Sequence, residues 1–359
     1  MSALRAHRLG LVEYEDGLAL QERFVQARRA GSEPDALLLL QHPPVLTLGR
    51  GGKRANVIAA PEALARLGVE VFETARGGDV TYHGPGQIVG YPILQLPPGR
   101  QDVVRYVRDV EEALIRALDR FGLRAGRIPK WTGAWLGSPE SGDARKIAAI
   151  GVHLSRWLTS HGFALNVRAN LSHFELIVPC GIRGAGVTSM ERELGGRAPP
   201  EEEVERALAE SFAGVFGLQL EWAPEPARTV AVAVVRESPR RQVLLLKRRP
   251  ERGGFWQVVT GRVEPGESPE QAAAREVQEE TGQALPVRAL GYEHAFALGD
   301  RLPPAVTRET AFLARWTGGE VRLSDAEHDQ HRWVDPDEAH ASLPFRGLRE
   351  TARRALAEG

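Results

Sequence analysis

The sequence predicts a chain of two domains, each of mixed α/β (α+β) class. The 359 residues are long for a single hydrophobic core. Short apolar runs alternate with amphipathic stretches along the first half of the chain. A segment with two prolines near residue 225 interrupts this series, and a new apolar run begins behind it. We therefore assign residues 1–222 to a first domain, 223–228 to a linker and 229–359 to a second domain.

Five short apolar runs in the first domain predict strands, and two longer periodic stretches predict helices. The first helix begins after Asp102, because apolar residues recur at helical spacing up to Phe121, and Gly122 ends it. The second helix follows Pro200 and stops at Gly217. The predicted strands are Ala36–Leu40, Val45–Leu48, Ile147–Leu154, Gly162–Val167 and Phe174–Val178.

The linker contains Pro224 and Pro226, which cannot continue a helix and make the segment short and stiff. The apolar run Val230–Val235 follows it and predicts the first strand of the second domain. By its pattern this strand pairs with a second one at Val243–Leu246.

Composition limits the partners that we expect. Hydrophobic residues make up 42% of the chain, charged residues 26%, and the net charge is −1, so no basic surface predicts binding to a nucleic-acid duplex or a membrane. The first ten residues lack the apolar core of a secretory signal, and no apolar run is long enough to span a bilayer. The one cysteine, Cys180, excludes an intramolecular disulfide. These features favour a cytoplasmic location.

The second domain contains a helix with a well-marked beginning and end. Ser268 is followed by Pro269 and, three positions on, by Gln271, which is the pattern of a capping box with proline in the first turn. Gly282 suits the position that follows the last helical residue. The sequence therefore predicts a helix between Ser268 and Gly282.

Three carboxylates share one face of this helix. Glu279 and Glu280 lie three and four residues after Glu276, so the three carboxylates crowd together and repel. A hard divalent cation would relieve the repulsion, and oxygen ligands suit Mg²⁺ or Mn²⁺, which also bind phosphates. Arg275 can pair with Glu267 and brace the preceding loop. A solvated acidic face is the alternative, but the fixed spacing of loop, cap and helix argues against it.

The segment from Gly261 to Gln283 resembles the Nudix box, Gly-x5-Glu-x7-Arg-Glu-U-x-Glu-Glu-x-Gly-U with U apolar, except that Gln283 stands at the last apolar position. The resemblance implies an α/β/α sandwich that hydrolyses a diphosphate linked to another group. It implies Mg²⁺ (or Mn²⁺) as cofactor, held by Glu276, Glu279 and Glu280. One of the last two, for which we take Glu279, is then also catalytic and helps to activate water.

The segments flanking the box resemble the dihydroneopterin triphosphate pyrophosphohydrolases, and they are Phe255–Gly261, Val306–Thr310 and Glu327–His328 shortly before Trp333. This resemblance implies Glu327 as a further metal ligand and a nucleoside- or pterin-type di- or triphosphate as the phosphorylated small-molecule substrate. Lys247, Arg248 and Arg249 either meet its phosphates or form an exposed basic turn.

In the first domain, a cysteine and a lysine suggest nucleophilic chemistry. Cys180 follows an apolar run and lies in a proline-glycine turn, so the predicted strand would hold it at the edge of a cleft. A thiolate nucleophile needs a nearby cation or base, and Lys146, beside an apolar strand, is a candidate. The alternatives are a buried filler cysteine and an ordinary strand-end lysine.

A glycine-rich loop strengthens this interpretation. The segment Arg76–Gln87 contains four glycines and one proline, which permit tight turns and close approach of a ligand to the backbone. A plain turn-rich loop would not need arginine, threonine, tyrosine and histidine between its glycines. A second loop, 137–143, is predicted to lie on the surface just before Lys146.

Together, the loop from Arg76, the Lys146 strand, the segment His161–Asn166 and the segment Pro179–Gly181 resemble lipoyl (octanoyl) transferases over about the first 220 residues. The resemblance implies a mixed-sheet domain like that of biotin and lipoate ligases. It also implies substrate-binding residues, which are Arg76, Gly77, Gly78, Asp79, Val80, Thr81, Tyr82, His83, Ala149, Ile150, Gly151, Gly162, Phe163 and Ala164.

The same resemblance implies a mechanism and partners. Cys180 would take an octanoyl group from octanoyl-acyl carrier protein as a thioester. It would pass the group to a lysine on lipoyl domains of 2-oxoacid dehydrogenases and of the glycine cleavage protein. Lys146 would lower the pKa of the cysteine and act as acid and base, and this domain would need no cofactor.

Two alternatives to a transferase stay open at this point. An ATP-dependent lipoate or biotin protein ligase shares the implied fold but forms an acyl-adenylate and needs no cysteine. A non-catalytic module could bind lipoyl domains or nucleotides without turnover. The presence of Cys180 and Lys146 and of the loop ending in Pro85-Gly86-Gln87 favours the transferase, and dependence on ATP would separate it from a ligase.

Overall fold

The computed structural model describes residues 2–178, 185–299, 301–324 and 327–358. The chain forms two compact units, Met1–Glu225 with Ala297–Ala305, and Pro226–Phe296 with Val306–Gly359. Among the described residues, no helix is both long enough and apolar enough to cross a membrane.

The first unit contains twelve strands and five α-helices among its described residues. The strands are β1 (Ala3–Leu11), β2 (Asp35–Gln41), β3 (Val45–Leu48), β4 (Glu70–Glu73), β5 (Val80–His83), β6 (Gln87–Ile93), β7 (Gly126–Ile128), β8 (Trp131–Leu136), β9 (Arg145–Ser155), β10 (Leu158–Asn166), β11 (Gly186–Val187) and β12 (Gln219–Trp222). The helices are α1 (Tyr14–Arg29), α2 (Pro61–Arg66), α3 (Val103–Asp119), α4 (Met190–Glu193) and α5 (Glu201–Phe216).

Most of these strands form one large mixed sheet in the order β12-β1-β2-β6-β10-β9-β8-β7, with β11 also paired to β9. Helices α3 and α5 pack on this sheet and bury its main apolar core. A small sheet of order β4-β3-β5 carries the end of the glycine-rich loop. The mixed sheet expected from the resemblance is confirmed.

Most of the elements that the sequence patterns predict for this unit are present. Helix α3 begins after Asp102, whose carboxylate accepts a hydrogen bond from the Arg105 amide at 2.8 Å. Helix α5 ends at Gly217, which adopts the left-handed conformation that glycine tolerates at such an end. Four of the five predicted strands appear as β2, β3, β9 and β10.

The fifth predicted strand, Phe174–Val178, is wrong. A 3₁₀ helix spans Leu171–Leu176, and the Asn170 side chain caps it by accepting from the Ser172 amide. Its apolar residues pack against the small sheet instead of joining a ladder. The expectation that Cys180 follows a strand end is therefore also wrong. Cys180 itself lies outside the described residues.

The second unit is built on one mixed sheet with the strand order β15-β14-β13-β18-β17, in which β16 also pairs with β13 and β19 with β14. Its strands are β13 (Ala227–Arg236), β14 (Gln242–Arg248), β15 (Trp256–Gln257), β16 (Val259–Arg262), β17 (Val287–Leu298), β18 (Ala305–Arg315) and β19 (His328–Val334). Its helices are α6 (Pro269–Thr281), α7 (Pro336–Ser342) and α8 (Arg346–Ala357).

Strand β13 is buried on both faces, which explains its unbroken apolar sequence. Val230, Val232 and Val234 pack with α6. The alternate residues face the other side, where α8 contacts the strand. The predicted α/β/α sandwich is confirmed, as is the predicted pairing of β13 with β14, which is antiparallel with Val235 opposite Val243.

Candidate active sites

A cavity of about 1010 Å³ lies in the first unit, between the glycine-rich loop, β8, β9 and β10. Strands β9 and β10 supply small residues at paired positions, with Gly151 opposite Gly162 and Ala149 opposite Ala164. A Cβ atom on Gly162 would meet the carbonyl oxygen of Gly90 at 2.1 Å, so only glycine fits there. The pairing of small residues leaves the space that the cavity occupies.

The cavity brings together residues that are far apart in the sequence. Lys146 and thirteen of the fourteen predicted substrate-binding residues line it. The exception is Tyr82, whose hydroxyl hydrogen-bonds Nδ1 of His173 at 2.8 Å and whose ring packs against Phe174. A Cβ atom on Gly84 would meet that hydroxyl at 1.9 Å. Tyr82 and Gly84 thus fix the shape of the loop outside the cavity.

The start of the glycine-rich loop is held by backbone contacts and a buried arginine. The Gly77 amide donates to the Val152 carbonyl at 2.9 Å, which joins the loop to β9. The Arg76 guanidinium donates to the carbonyl and hydroxyl oxygens of Thr47 on β3, at 2.6 Å and 2.8 Å. Gly78 has φ of +88°, a conformation that favours glycine. The loop backbone is therefore fixed beside the cavity.

Lys146 is the second residue of β9, and its ammonium lies 4.7 Å from the centre of the Trp135 ring. Trp135 is buried, and its indole N–H donates to the Trp131 carbonyl at 3.1 Å, so the ring is held in place. The backbone carbonyl of Lys146 accepts from the Thr188 amide at 2.9 Å. The lysine is thus fixed at its backbone and faces an aromatic ring, which stabilises its charged form.

Three buried histidines cluster beside the cavity, and we call His42, His83 and His161 the histidine cluster. Burial is the main cause that lowers the pKa of His42 to about 4 and of His161 to about 4. Burial, followed by the charges of His42 and other neighbours, lowers the pKa of His83 to about 3. All three imidazoles are therefore neutral at pH 7.

Sequence reasoning missed part of this environment. Tyr14 and Tyr91 also line the cavity, and burial raises the pKa of both hydroxyls. The Tyr91 hydroxyl contacts Nε2 of His42 at 2.7 Å, while Nδ1 of that ring contacts the Val12 carbonyl at 2.7 Å. These residues come from different elements and have no local spacing, so a single sequence carries no signal that groups them.

The first described residues after the predicted nucleophile reach this cavity. Cys180 is outside the described residues, but Ala185, the first described residue after it, lines the cavity. The next two residues form β11, in which Val187 pairs in parallel with Lys146.

In the second unit, the predicted capping box at the start of α6 is confirmed. The Ser268 hydroxyl accepts from the Gln271 amide, and the Gln271 side chain accepts from the Ser268 amide at 2.8 Å. Gly282 ends the helix in the left-handed conformation. Arg275 donates to both carboxylate oxygens of Glu267, at 3.0 Å and 3.1 Å, which confirms the predicted brace between loop and helix.

The carboxylates of α6 differ in their surroundings. Glu280 is 2% exposed, and neither of its oxygens completes a hydrogen bond among the described residues. Burial, reinforced by the charges of Glu276 and Glu327 and only partly opposed by the Thr260 backbone amide and by Arg248, raises its pKa well above the usual range. Burial also raises the pKa of Glu276, against the opposing effect of Arg275. The Glu280 oxygens are thus dehydrated and repelled by their neighbours, which is an environment that a cation would stabilise.

The other carboxylates are engaged by arginines. Arg275 donates to Glu276 at 2.7 Å and to Glu279 at 3.2 Å. Glu327 pairs with Arg252 at 2.9 Å and lies 3.8 Å from Arg248. Within the described ranges, no three histidine, cysteine or acidic residues lie close enough together to hold a metal ion. The chemistry of the donor set and the orphaned oxygens of Glu280 nevertheless fit Mg²⁺ or Mn²⁺.

A glycine keeps the strand and the helix close together at this site. A Cβ atom on Gly261, in β16, would lie 1.9 Å from the carboxyl carbon of Glu276. No other residue fits there without displacing that carboxylate. The first glycine of the predicted box is therefore explained by contact with the predicted metal ligand.

Comparison with known proteins identifies the first unit. Residues 13–213 match the family model for the lipoyl protein ligase A/B catalytic domain. An octanoyltransferase of Myxococcus xanthus is 61% identical over 359 residues, which cover 99% of this chain and 100% of that protein. The chain belongs to the octanoyltransferase family. It is an enzyme whose C-terminal part, residues 227–358, matches the NUDIX domain model.

Other octanoyltransferases are similar to part of this chain. The octanoyltransferase of Acidobacterium capsulatum is 52% identical over 226 residues, which cover 61% of this chain and 92% of that protein. The crystal structure of a lipoate-protein ligase A bound with ATP gives a TM-score of 0.50 at 17% identity, over 63% of this chain and 90% of that one. At that identity the likeness shows the fold alone.

Proposed function

We propose that the first unit transfers an octanoyl group from octanoyl-acyl carrier protein to a lysine of a lipoyl domain, through a thioester on Cys180. The observation that carries this proposal is the 61% identity to an octanoyltransferase over the full length. The acceptors would be lipoyl domains of 2-oxoacid dehydrogenases and of the glycine cleavage protein. The reaction needs neither ATP nor a cofactor in this unit.

In the first step, the Cys180 thiolate attacks the thioester carbonyl, and the thiol of the carrier protein leaves with a proton. In the second step, the lysine amine attacks the acyl-enzyme, a C–N bond forms and the C–S bond to Cys180 breaks. Lys146 gives and takes the protons in both steps. The contact of its ammonium with Trp135 supports the charged form that a thiolate needs beside it.

The other predicted substrate-binding residues hold the acyl chain. The cavity of about 1010 Å³ lies at the upper end of the roughly 300–1,000 Å³ typical of small-molecule sites. Its glycine and alanine pairs on β9 and β10 provide a narrow apolar surface for an aliphatic tail. The loop from Arg76 to His83 closes the opposite side, with Tyr82 supporting the loop from behind.

The test is transfer of octanoate from octanoyl-acyl carrier protein to a lipoyl domain, measured by the mass of the lipoyl domain without ATP. The Lys146→Met variant should lose transfer, while Lys53→Met, which removes an exposed lysine, should keep it. Transfer that requires ATP and free octanoate would instead identify a ligase. Binding of the lipoyl domain without any transfer would identify a non-catalytic module.

We further propose that the NUDIX unit hydrolyses a nucleoside- or pterin-type di- or triphosphate with Mg²⁺ (or Mn²⁺). Glu276, Glu279, Glu280 and Glu327 would hold the metal, and Glu279 would help to activate water. The metal, when bound, neutralises the substrate phosphates and polarises the bond to be broken. The dehydrated, unpartnered oxygens of Glu280 support this assignment.

A panel of nucleoside and pterin triphosphates, with phosphate and pyrophosphate release as the readout, would define the substrate. Glu279→Gln should remove hydrolysis, and Glu270→Gln, an exposed carboxylate on the first turn of the same helix, should not. Hydrolysis that persists in Glu279→Gln or without a divalent cation would contradict the assignment.

A further inference from the structure

Two buried side-chain amides connect the cavity to the backbone beside Lys146. Gln87 begins β6, Asn166 ends β10, and the two residues lie directly opposite each other in the antiparallel ladder. Both are almost fully buried, and Gln87 Nε2 donates to Asn166 Oδ1 at 2.8 Å. The other end of Gln87 contacts Nδ1 of His83 at 2.7 Å, and the other end of Asn166 contacts the Thr188 carbonyl at 3.0 Å.

The Thr188 carbonyl fixes the direction of each hydrogen bond in the series that runs from Thr188 through Asn166 and Gln87 to His83. The Thr188 carbonyl can only accept, so Asn166 must offer it the amide nitrogen and turn Oδ1 toward Gln87. Gln87 must then offer its own nitrogen to Oδ1, and the same nitrogen reaches the Tyr82 carbonyl at 3.3 Å. The oxygen of Gln87 is left for His83. Because that oxygen can only accept, Nδ1 of His83 carries the proton.

A neutral imidazole protonated at Nδ1 has a lone pair at Nε2. Burial and neighbouring charges lower the pKa of His83 to about 3, so the ring stays neutral at the pH of an acyl transfer. His83 lines the cavity, and its Nε2 has no hydrogen-bond partner within the part of the chain that the structure describes. The cavity therefore contains a hydrogen-bond acceptor with a fixed orientation.

We infer that Nε2 of His83 accepts a hydrogen bond from the attacking lysine amine in the second acyl transfer, and that Gln87 and Asn166 are positioning residues that hold His83 in the required tautomer. The inference rests on the proposed octanoyl transfer. Near its reacting carbon, the octanoyl thioester has only a carbonyl oxygen and an aliphatic chain, and neither donates a hydrogen bond. The primary amine arriving at that carbon does donate.

The step is balanced without proton transfer to His83. The amine nitrogen forms a bond to the acyl carbon, the C–S bond breaks, and the electron pair leaves on sulfur. One amine proton passes through Lys146 to the thiolate, and the second N–H of the amine is the one that His83 holds. The same hydrogen bonds join His83 to Thr188, whose amide donates to the Lys146 carbonyl. His83, the hydrogen-bond acceptor, and Lys146, the base, are thus held by one network.

The two acyl-transfer steps are measured separately on the full chain. The enzyme is first loaded with octanoyl-acyl carrier protein, and the acyl-enzyme is then mixed with lipoyl domain and followed by intact mass. Gln87→Leu and Asn166→Asp should slow the second step by about 10- to 100-fold, as expected for a hydrogen bond to a group that becomes charged, and should slow loading much less. Gln95→Leu is the matched control, because Gln95 donates to two backbone carbonyls outside the cavity.

Equal slowing of both steps in the Gln87 and Asn166 variants would mean a merely structural role and overturn the inference. Transfer at the rate of the Gln95→Leu control would do the same. Failure of the wild type to load would overturn the proposed function and this inference together. Loading followed by normal transfer in the variants overturns this inference alone.

A second measurement determines the tautomer of His83 directly in the wild-type chain. In the wild-type chain labelled with ¹⁵N-histidine, the His83 signals are assigned by their loss in His83→Gln. The inference predicts an unprotonated Nε2 and a protonated Nδ1 at neutral pH. A proton on Nε2 would overturn it.

Discussion

Replacing Glu280 by glutamine tests whether the buried charge of this carboxylate destabilises helix α6. The carboxylate is buried, its oxygens lack hydrogen bonds among the described residues, and the charges of Glu276 and Glu327 repel it. The amide has the same shape but no charge. The amide is still a buried polar group, so the substitution removes only the additional cost of the charge, which is on the order of 1–3 kcal/mol. Without a divalent cation, Glu280→Gln should therefore stabilise α6 by about 1–3 kcal/mol.

The effect of Mg²⁺ should be the opposite. A cation bound only by the folded chain stabilises it by about 2.7 kcal/mol at 100 times its dissociation constant. The wild type should gain this stability, and Glu280→Gln should gain much less because a ligand oxygen has been replaced. In chelator, Glu280→Gln should therefore be the more stable protein, and in saturating Mg²⁺ the wild type should be.

Hydrogen exchange of the α6 peptides, measured by mass spectrometry on the full chain, follows this helix without interference from the first unit. In chelator, exchange in Glu280→Gln should be slower by about 5- to 150-fold, the rate equivalent of 1–3 kcal/mol. Glu270→Gln, an exposed change on the same helix, should behave as the wild type. Faster exchange in Glu280→Gln without metal, together with an unchanged response to Mg²⁺, would refute the reasoning.

Three further outcomes follow from the structure. The histidine cluster has pKa values near 3 to 4 in the folded chain but near 6.5 when unfolded, so the unfolded chain binds more protons between these values. The free energy of unfolding should therefore fall as the pH is lowered from about 6.5 to 4, by on the order of 3 kcal/mol per histidine. Urea unfolding at several pH values across this range measures it. A free energy of unfolding that does not change with pH would contradict the burial of neutral rings. Gly261→Ala should displace Glu276 and remove Mg²⁺-dependent hydrolysis, whereas retained hydrolysis would show that the close contact is dispensable. Trp135→Leu should slow octanoyl transfer about 2- to 30-fold by removing the aromatic contact of Lys146, provided that circular dichroism shows a folded chain, and an unchanged rate would exclude this role.

The loop and helix of the NUDIX box could be predicted in detail because their features are local. The capping box, the Arg275–Glu267 pair and the carboxylates on one helix face all depend on spacings within a single loop and helix. Such spacings are fixed by helix geometry, so the sequence alone carries them. The relation of Glu280 to Glu327 could be anticipated only from the resemblance, since nearly fifty residues separate them.

The cavity of the first unit was harder to predict because distant segments build it. The glycine-rich loop was visible as a composition, but the contributions of Tyr14, His42 and Tyr91 depend on the strand order of the large sheet. The strand predicted at Phe174–Val178 failed for a different reason. A run of apolar residues this short fits a strand or a buried turn equally well, and the cap provided by Asn170 favours the turn.

The central claim is a thioester on the one cysteine of the chain, and intact mass tests it directly. The full-length protein is incubated with octanoyl-acyl carrier protein in the absence of ATP. We predict an octanoyl increment that hydroxylamine removes and that is absent from Cys180→Ser. No increment without ATP, with acylation of a lipoyl domain once ATP and free octanoate are supplied, would contradict the claim and indicate a ligase.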